Sequence, residues 1–151
     1  MLFRSFGLIT AFFQGVVTGP VVARFGEWRV CLFGLAIAAL VAAGYGLAPG
    51  FAAVLVLMVV HGPEGFVHPM LVAMMSKAVP EDAQGELQGG ISAIMNIAML
   101  VGTVFFSQIF GFFMQAERGT PSPNMAFFLA SVLLVGVLVA FPRVVRRSGT
   151  A

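Results

Sequence analysis

The sequence predicts an all-α membrane protein of about five transmembrane helices, and two observations carry that prediction. Of its 151 residues, 60% are hydrophobic and 9% are charged, with a mean hydropathy of +1.02. Soluble domains carry charge on roughly a quarter of their residues, and one of this length buries only about two-thirds of its surface. That leaves this much apolar side chain with nowhere to go outside a bilayer. The second observation is arrangement. The apolar residues come in long uncharged runs separated by turn chemistry, whereas a transmembrane β-barrel shows alternating segments of about ten residues.

The first run covers residues 6–22 and ends at the charged stretch Arg24-Phe25-Gly26-Glu27-Trp28-Arg29, read as a turn. The second covers 30–47 and stops at Ala48-Pro49-Gly50, a very tight connection. The third covers 51–75 and is interrupted at His61-Gly62-Pro63-Glu64 and at His68-Pro69, where each proline removes a backbone donor. The fourth covers 80–114 and opens on Pro80-Glu81-Asp82, proline and acids standing where helix starts prefer them. The fifth covers 125–141, with Asn124 as its N-cap. The whole chain, 1–151, is read as one helix bundle. Gly15 with Gly19 and Gly85 with Gly89 form GxxxG pairs, and Gly34 with Ala38 a looser one, spacings that let helix backbones approach closely.

The net charge of +2 does not indicate nucleic-acid binding, because the eight basic residues lie between apolar runs. They carry topology instead. Arg24, Arg29, Lys77, Arg143, Arg146 and Arg147 fall on one side of the alternating spans, and Arg4 and Arg118 on the other. Basic loops stay in the cytoplasm, which places the C-terminus there. The lone Cys31 has no cysteine to pair with and no CxxC motif for a metal. No P-loop, nucleophile elbow or Cys–His pairing points to an enzyme, and no cofactor or metal is expected. Membrane lipid is the one partner the composition itself implies.

The third span holds the residues richest in chemistry. His61, Glu64 and His68 fall at i, i+3 and i+7, on one face of a helix near mid-membrane. Ionisable groups at that depth are costly and mark functional sites by default. Imidazole changes charge near neutral pH, so the three are candidates for proton coupling. Two other readings stay open: Glu64 pairing with a base or capping backbone freed by the prolines, and a zinc site, for which the i, i+4 ligand pair of metalloprotease helices is missing. In the fourth span Ser92, Asn96 and Thr103 share a narrow arc that Ser107 extends and that Gln84 and Gln88 lead into. They line a substrate path or hydrogen-bond between helices. Gly19, Arg24, Gly26, Glu27 and Arg29 form a glycine-flanked cluster of opposite charges, suited to dock on a neighbouring helix end as a latch between conformations. A topogenic loop with Trp28 at the interface is the simpler reading.

Two stretches resemble a known family. Phe13-Gln14, Gly19 and Ala23-Arg24-Phe25-Gly26-Glu27 resemble the loop between spans eight and nine of tetracycline-resistance-type transporters of the major facilitator superfamily. Ser76-Lys77-Ala78-Val79-Pro80 and Gln84-Gly85-Glu86-Leu87-Gln88-Gly89 resemble the opening of span eleven there, in the same order and at a matching separation. The resemblance implies that the chain corresponds to spans 8–12 of a twelve-helix antiporter, a C-terminal fragment whose other half is elsewhere. It implies export of a drug or metabolite in exchange for protons, by alternating access, in a bacterial inner membrane. Gln14 joins the substrate-path candidates on the same ground. Two positions depart from the family pattern: Ala38 stands where tetracycline exporters carry an acid, and Thr10 where they tend to carry a histidine. Glu64, one span later, is then the candidate replacement carboxyl. A stand-alone five-span subunit with a structural or regulatory role is the competing expectation.

Overall fold

The computed structural model describes residues 18–115 and 122–148. Gln14, Gly15 and most of the first expected span therefore lie outside the described residues. The described chain is helical, with no strand: α1 (Thr18–Phe25), α2 (Glu27–Leu47), α3 (Phe51–Val60), a 3-10 turn (Gly62–Phe66), α4 (Val67–Lys77), a short 3-10 turn (Glu81–Ala83), α5 (Gln84–Met114) and α6 (Met125–Ser148). By length and composition, four units among the described residues are able to cross a membrane: Glu27–Leu47, Phe51–Lys77, Glu81–Met114 and Met125–Val145. The chain is thus an all-α, multi-pass membrane protein.

The charged stretch from Arg24 to Arg29, expected as a turn, is helical on both sides of a single residue. Gly26 has φ 79°, a left-handed backbone that costs an L side chain about 1–2 kcal/mol. Its N–H donates to the Val22 carbonyl at 2.8 Å and its carbonyl accepts from Val30 N–H at 3.2 Å. One glycine thus closes α1 and opens α2, which moves the start of the second span back to Glu27. Ala48-Pro49-Gly50 is the short link expected between α2 and α3.

Helix α2 is the centre of the bundle. It is apolar around its whole circumference, as a helix packed on several sides must be, and it buries Val30, Cys31, Gly34, Leu35, Ala38, Ala39, Val41 and Gly46. Val30, Cys31 and Leu35 meet Phe66 and Met70 of the third span, with Val21, Leu138 and Phe141 packed around them. The small residues of α2 set how closely its neighbours approach. A methyl group at Gly34 would sit 2.7 Å from Val67 Cγ2 and 2.9 Å from the Pro63 carbonyl oxygen. At Gly46 it would meet the Phe128 ring at 3.0 Å. Ser131 Oγ on α6 donates to the Ala39 carbonyl at 2.8 Å, a polar tie between helices of the kind apolar surroundings favour.

Helix α5 contrasts with this. None of its residues is buried, and a Cβ at Gly85 or Gly89 would meet nothing within 4 Å. Among the described residues the close backbone approach occurs instead at Gly34, while Gly44 and Gly46 make room for the side chains of Leu57 and Phe128. Helix α6 begins with the Asn124 carbonyl accepting from Phe127 and Phe128 N–H at 3.1 and 3.2 Å, so Asn124 stands where the sequence places a cap. It runs past residue 141 to Ser148 with Pro142 inside it. One turn back, Arg143 Nη1 donates to the Val139 carbonyl at 2.9 Å.

Candidate functional site

The third span breaks once. Pro63 has no N–H to return to the preceding turn, and the chain tightens there into the 3-10 turn Gly62–Phe66. His61 N–H still donates to Leu57 at 2.9 Å, and Glu64 N–H donates to His61 at 3.0 Å. Helix then resumes at Val67, leaving Pro69 in the first turn of α4, where a missing donor costs nothing. The second interruption expected at His68-Pro69 therefore does not occur.

The break decides which side chains meet. A 3-10 turn has three residues per turn, so positions i and i+3 eclipse. His61 Nε2 and Glu64 Oε2 are accordingly in direct ion-pair contact. His68, which a continuous helix would bring onto the same face, is rotated off it by roughly a quarter-turn. It is exposed and makes no side-chain bond among the described residues. Tyr45, the single tyrosine, completes the cluster from α2. Its ring lies edge-on to His61 at 6.0 Å between centroids, with Phe127 of α6 at 5.8 Å on another side. The cluster is Tyr45, His61 and Glu64, against the expected trio of His61, Glu64 and His68. No group of three or more His, Cys, Asp or Glu is placed to hold a metal among the described residues.

Depth follows from Gly34. A Cβ there would lie 3.7 Å from the Glu64 Cα, and Gly34 is seven residues into α2, about 10 Å along its axis. Glu64 is therefore level with the inner part of a span and not with its end. The described residues leave 48% of its side chain and 36% of that of His61 uncovered. A carboxylate so placed needs a polar cavity or a neighbouring helix on its open side.

The basic end of the bundle has its own network. Lys77 Nζ, at the end of α4, donates to Glu27 Oε1 at 2.7 Å, which ties the opening of α2 to the close of the third span. Trp28 stacks on Phe141 of α6 at 4.8 Å and 20°. Gln84 Nε2 donates to the Ser76 and Val79 carbonyls at 2.8 and 3.3 Å, satisfying acceptors that the end of α4 leaves open. Glu27, Trp28 and Lys77 thus bring together the ends that the alternation of spans assigns to one side. Of the glycine-flanked cluster, Glu27 and Gly26 have observed structural roles. Gly19, Arg24 and Arg29 remain exposed. Because Lys77 is 70% exposed, the bridge contributes less than about 1 kcal/mol to stability. Charge reversal in Glu27→Lys is expected to lower the thermal midpoint only slightly, and the swap Glu27→Lys with Lys77→Glu should return it to the starting value; no return would show that the pair does not act as a unit.

The polar residues of α5 are not assembled into a site by the described helices. Ser92, Asn96 and Thr103 are all exposed and share one face with Gly85 and Gly89 at about 100° per residue. That face is small and polar along its length, and none of these side chains bonds to another described residue.

Comparison with known proteins supplies the context. Over 142 residues the chain is 32% identical to the tetracycline resistance protein, class C, of Escherichia coli, covering 91% of this chain. It is 33% identical over 113 residues to the class G protein of Vibrio anguillarum, and 26% identical over 106 residues to the class H protein of Pasteurella multocida, each covering 70% of this chain. These matches take in 34%, 27% and 26% of the relatives, so the chain spans between a quarter and about a third of the length of the curated relatives it matches. No protein-family model matches it, and no solved structure does.

Proposed function

We propose, from the premise that this chain is a homologue of the tetracycline resistance proteins, that it forms the C-terminal portion of a proton-coupled secondary efflux transporter. Its substrates are drugs or small metabolites, and it works by alternating access in a bacterial inner membrane. The observation that supports this most strongly is the broken third span, which holds the His61–Glu64 pair inside a membrane-crossing helix. Protonation of the pair neutralises a carboxylate that is costly at that depth, so taking up a proton on one side and releasing it on the other ties proton movement to rearrangement. Backbone already broken at Gly62–Phe66 is where such a span bends with least cost, since its regular helical bonds are already lost there.

The latch reading of the basic end accords with the Glu27–Lys77 bridge. An exposed pair worth under about 1 kcal/mol can open and close within a transport cycle. The exposed face of α5, with Ser92, Asn96 and Thr103, faces the substrate path or the other transporter half, and Gln14, outside the described residues, stays a substrate-path candidate on the family resemblance alone. The end bearing Arg24, Arg29, Lys77 and Arg143 faces the cytoplasm, as does the C-terminus. No catalysis is involved.

The test uses the full-length protein in liposomes with an imposed pH gradient, and labelled tetracycline and ethidium as probes. Gradient-dependent accumulation of either probe, lost on adding a protonophore, is the expected result. Accumulation that is indifferent to the protonophore would overturn proton coupling.

A further inference from the structure

We propose that the groove between α1, α2 and the 3-10 turn is a binding site for an anionic phospholipid. The acyl chain lies along the apolar wall and the headgroup phosphate meets Arg29 and Arg24. The groove has a volume of about 470 Å³ and is lined by Val21, Phe25, Arg29, Val30, Phe33 and Phe66. Five of these six are apolar, and Phe25 and Phe33 leave 51% and 57% of their surface uncovered, so the groove opens outward at the bundle surface.

Size and charge together select the occupant. Two turns of α-helix, about 10 Å across and about 11 Å long, are too large for this volume, whereas a hydrocarbon chain one methylene wide is not. Arg29 is the one polar side chain in the lining, and Arg24 places its guanidinium 5.6 Å from the centre of the Phe25 ring. The nearby acid, Glu27, is already held by Lys77, and neither arginine has an acidic partner among the described residues. Arg29 stands in the first turn of a membrane-crossing helix and Arg24 lies three residues before that helix begins, the level at which phosphates of a bilayer lie. Two uncompensated guanidinium groups at the mouth of an apolar slot match a phosphodiester carrying an acyl chain. The inference depends on the membrane placement of the bundle and not on transport.

Native mass spectrometry of the purified full-length protein tests it, using phosphatidylglycerol and phosphatidylcholine with identical acyl chains. Phosphatidylglycerol should be retained in preference to phosphatidylcholine, and Arg29→Gln should weaken that preference about fivefold, with a similar further loss on adding Arg24→Gln. A photoreactive phenylalanine analogue at position 33 should cross-link to lipid, and unchanged thermal unfolding of the variants would show that the loss is not misfolding. Equal retention of the two lipids, an unaltered preference in Arg29→Gln, or cross-linking at position 33 to another segment of the same polypeptide would each overturn the proposal.

Discussion

Glu64→Gln in the full-length protein should reduce pH-gradient-driven accumulation of substrate to the level of protein-free liposomes. Glutamine keeps the volume and the hydrogen bond to His61 but cannot ionise, so the substitution separates a proton-coupling role from a packing role. The Glu64 Cα is level with Gly34, about 10 Å inside the span, and 48% of the Glu64 side chain is uncovered by the described helices. That open side is where a carboxylate at this depth needs a polar cavity or a neighbouring helix, and the proposed proton exchange requires the cavity. Counterflow, the exchange of labelled for unlabelled substrate without a gradient, needs no net proton movement and should survive. Retention of gradient-driven accumulation by Glu64→Gln would remove the carboxyl from the coupling step. Loss of counterflow as well would indicate a role in binding or folding.

Much of the architecture is legible in the sequence because membrane crossing is a property of composition and length. The runs 30–47, 51–75, 80–114 and 125–141 all correspond to helices of the structure, and Ala48-Pro49-Gly50 and Pro63 mark real punctuation. What sequence periodicity misjudged is local geometry that depends on helix type. Placing His68 with His61 and Glu64 assumed 3.6 residues per turn throughout, and the 3-10 turn resets the phase between them. The second proline looked equivalent to the first, yet Pro69 lies in a first turn that has no donor to lose. The stretch around Gly26 looked like a loop because it is charged, although a single left-handed glycine suffices to separate two helices. Tyr45 entered the site without any signal in its own neighbourhood. Only the packing of α2 against the break brings it to His61. The GxxxG spacing flagged Gly85 and Gly89, whereas the glycine pressed against a neighbouring backbone atom, Gly34, belongs to the looser pair with Ala38. Spacing identifies small faces but not the partner that uses them.

Gly34→Ala should be among the most damaging single-methyl additions in the protein. The new Cβ would fall 2.7 Å from Val67 Cγ2 and 2.9 Å from the Pro63 carbonyl oxygen. The first contact can be relieved by a rotamer change, but the second is backbone, fixed by the same 3-10 turn that presents His61 and Glu64. The helices must therefore separate, and overpacking of this kind costs about 1–3 kcal/mol. The expected observations are a lowered thermal midpoint in detergent and a loss of proton-driven transport, because the separation moves the His61–Glu64 pair. Adding Val67→Ala should recover part of the stability by removing the side-chain clash, while the carbonyl contact keeps recovery incomplete. Gly85→Ala is the matched comparison, since nothing lies within 4 Å of that position. Replacing a helical glycine by alanine there is expected to be neutral or to stabilise by up to about 1 kcal/mol. If Gly34→Ala were as well tolerated as that, the break would not be clamped against α2. If Gly85→Ala proved the more damaging, α5 would pack through its glycines on a surface beyond the described helices.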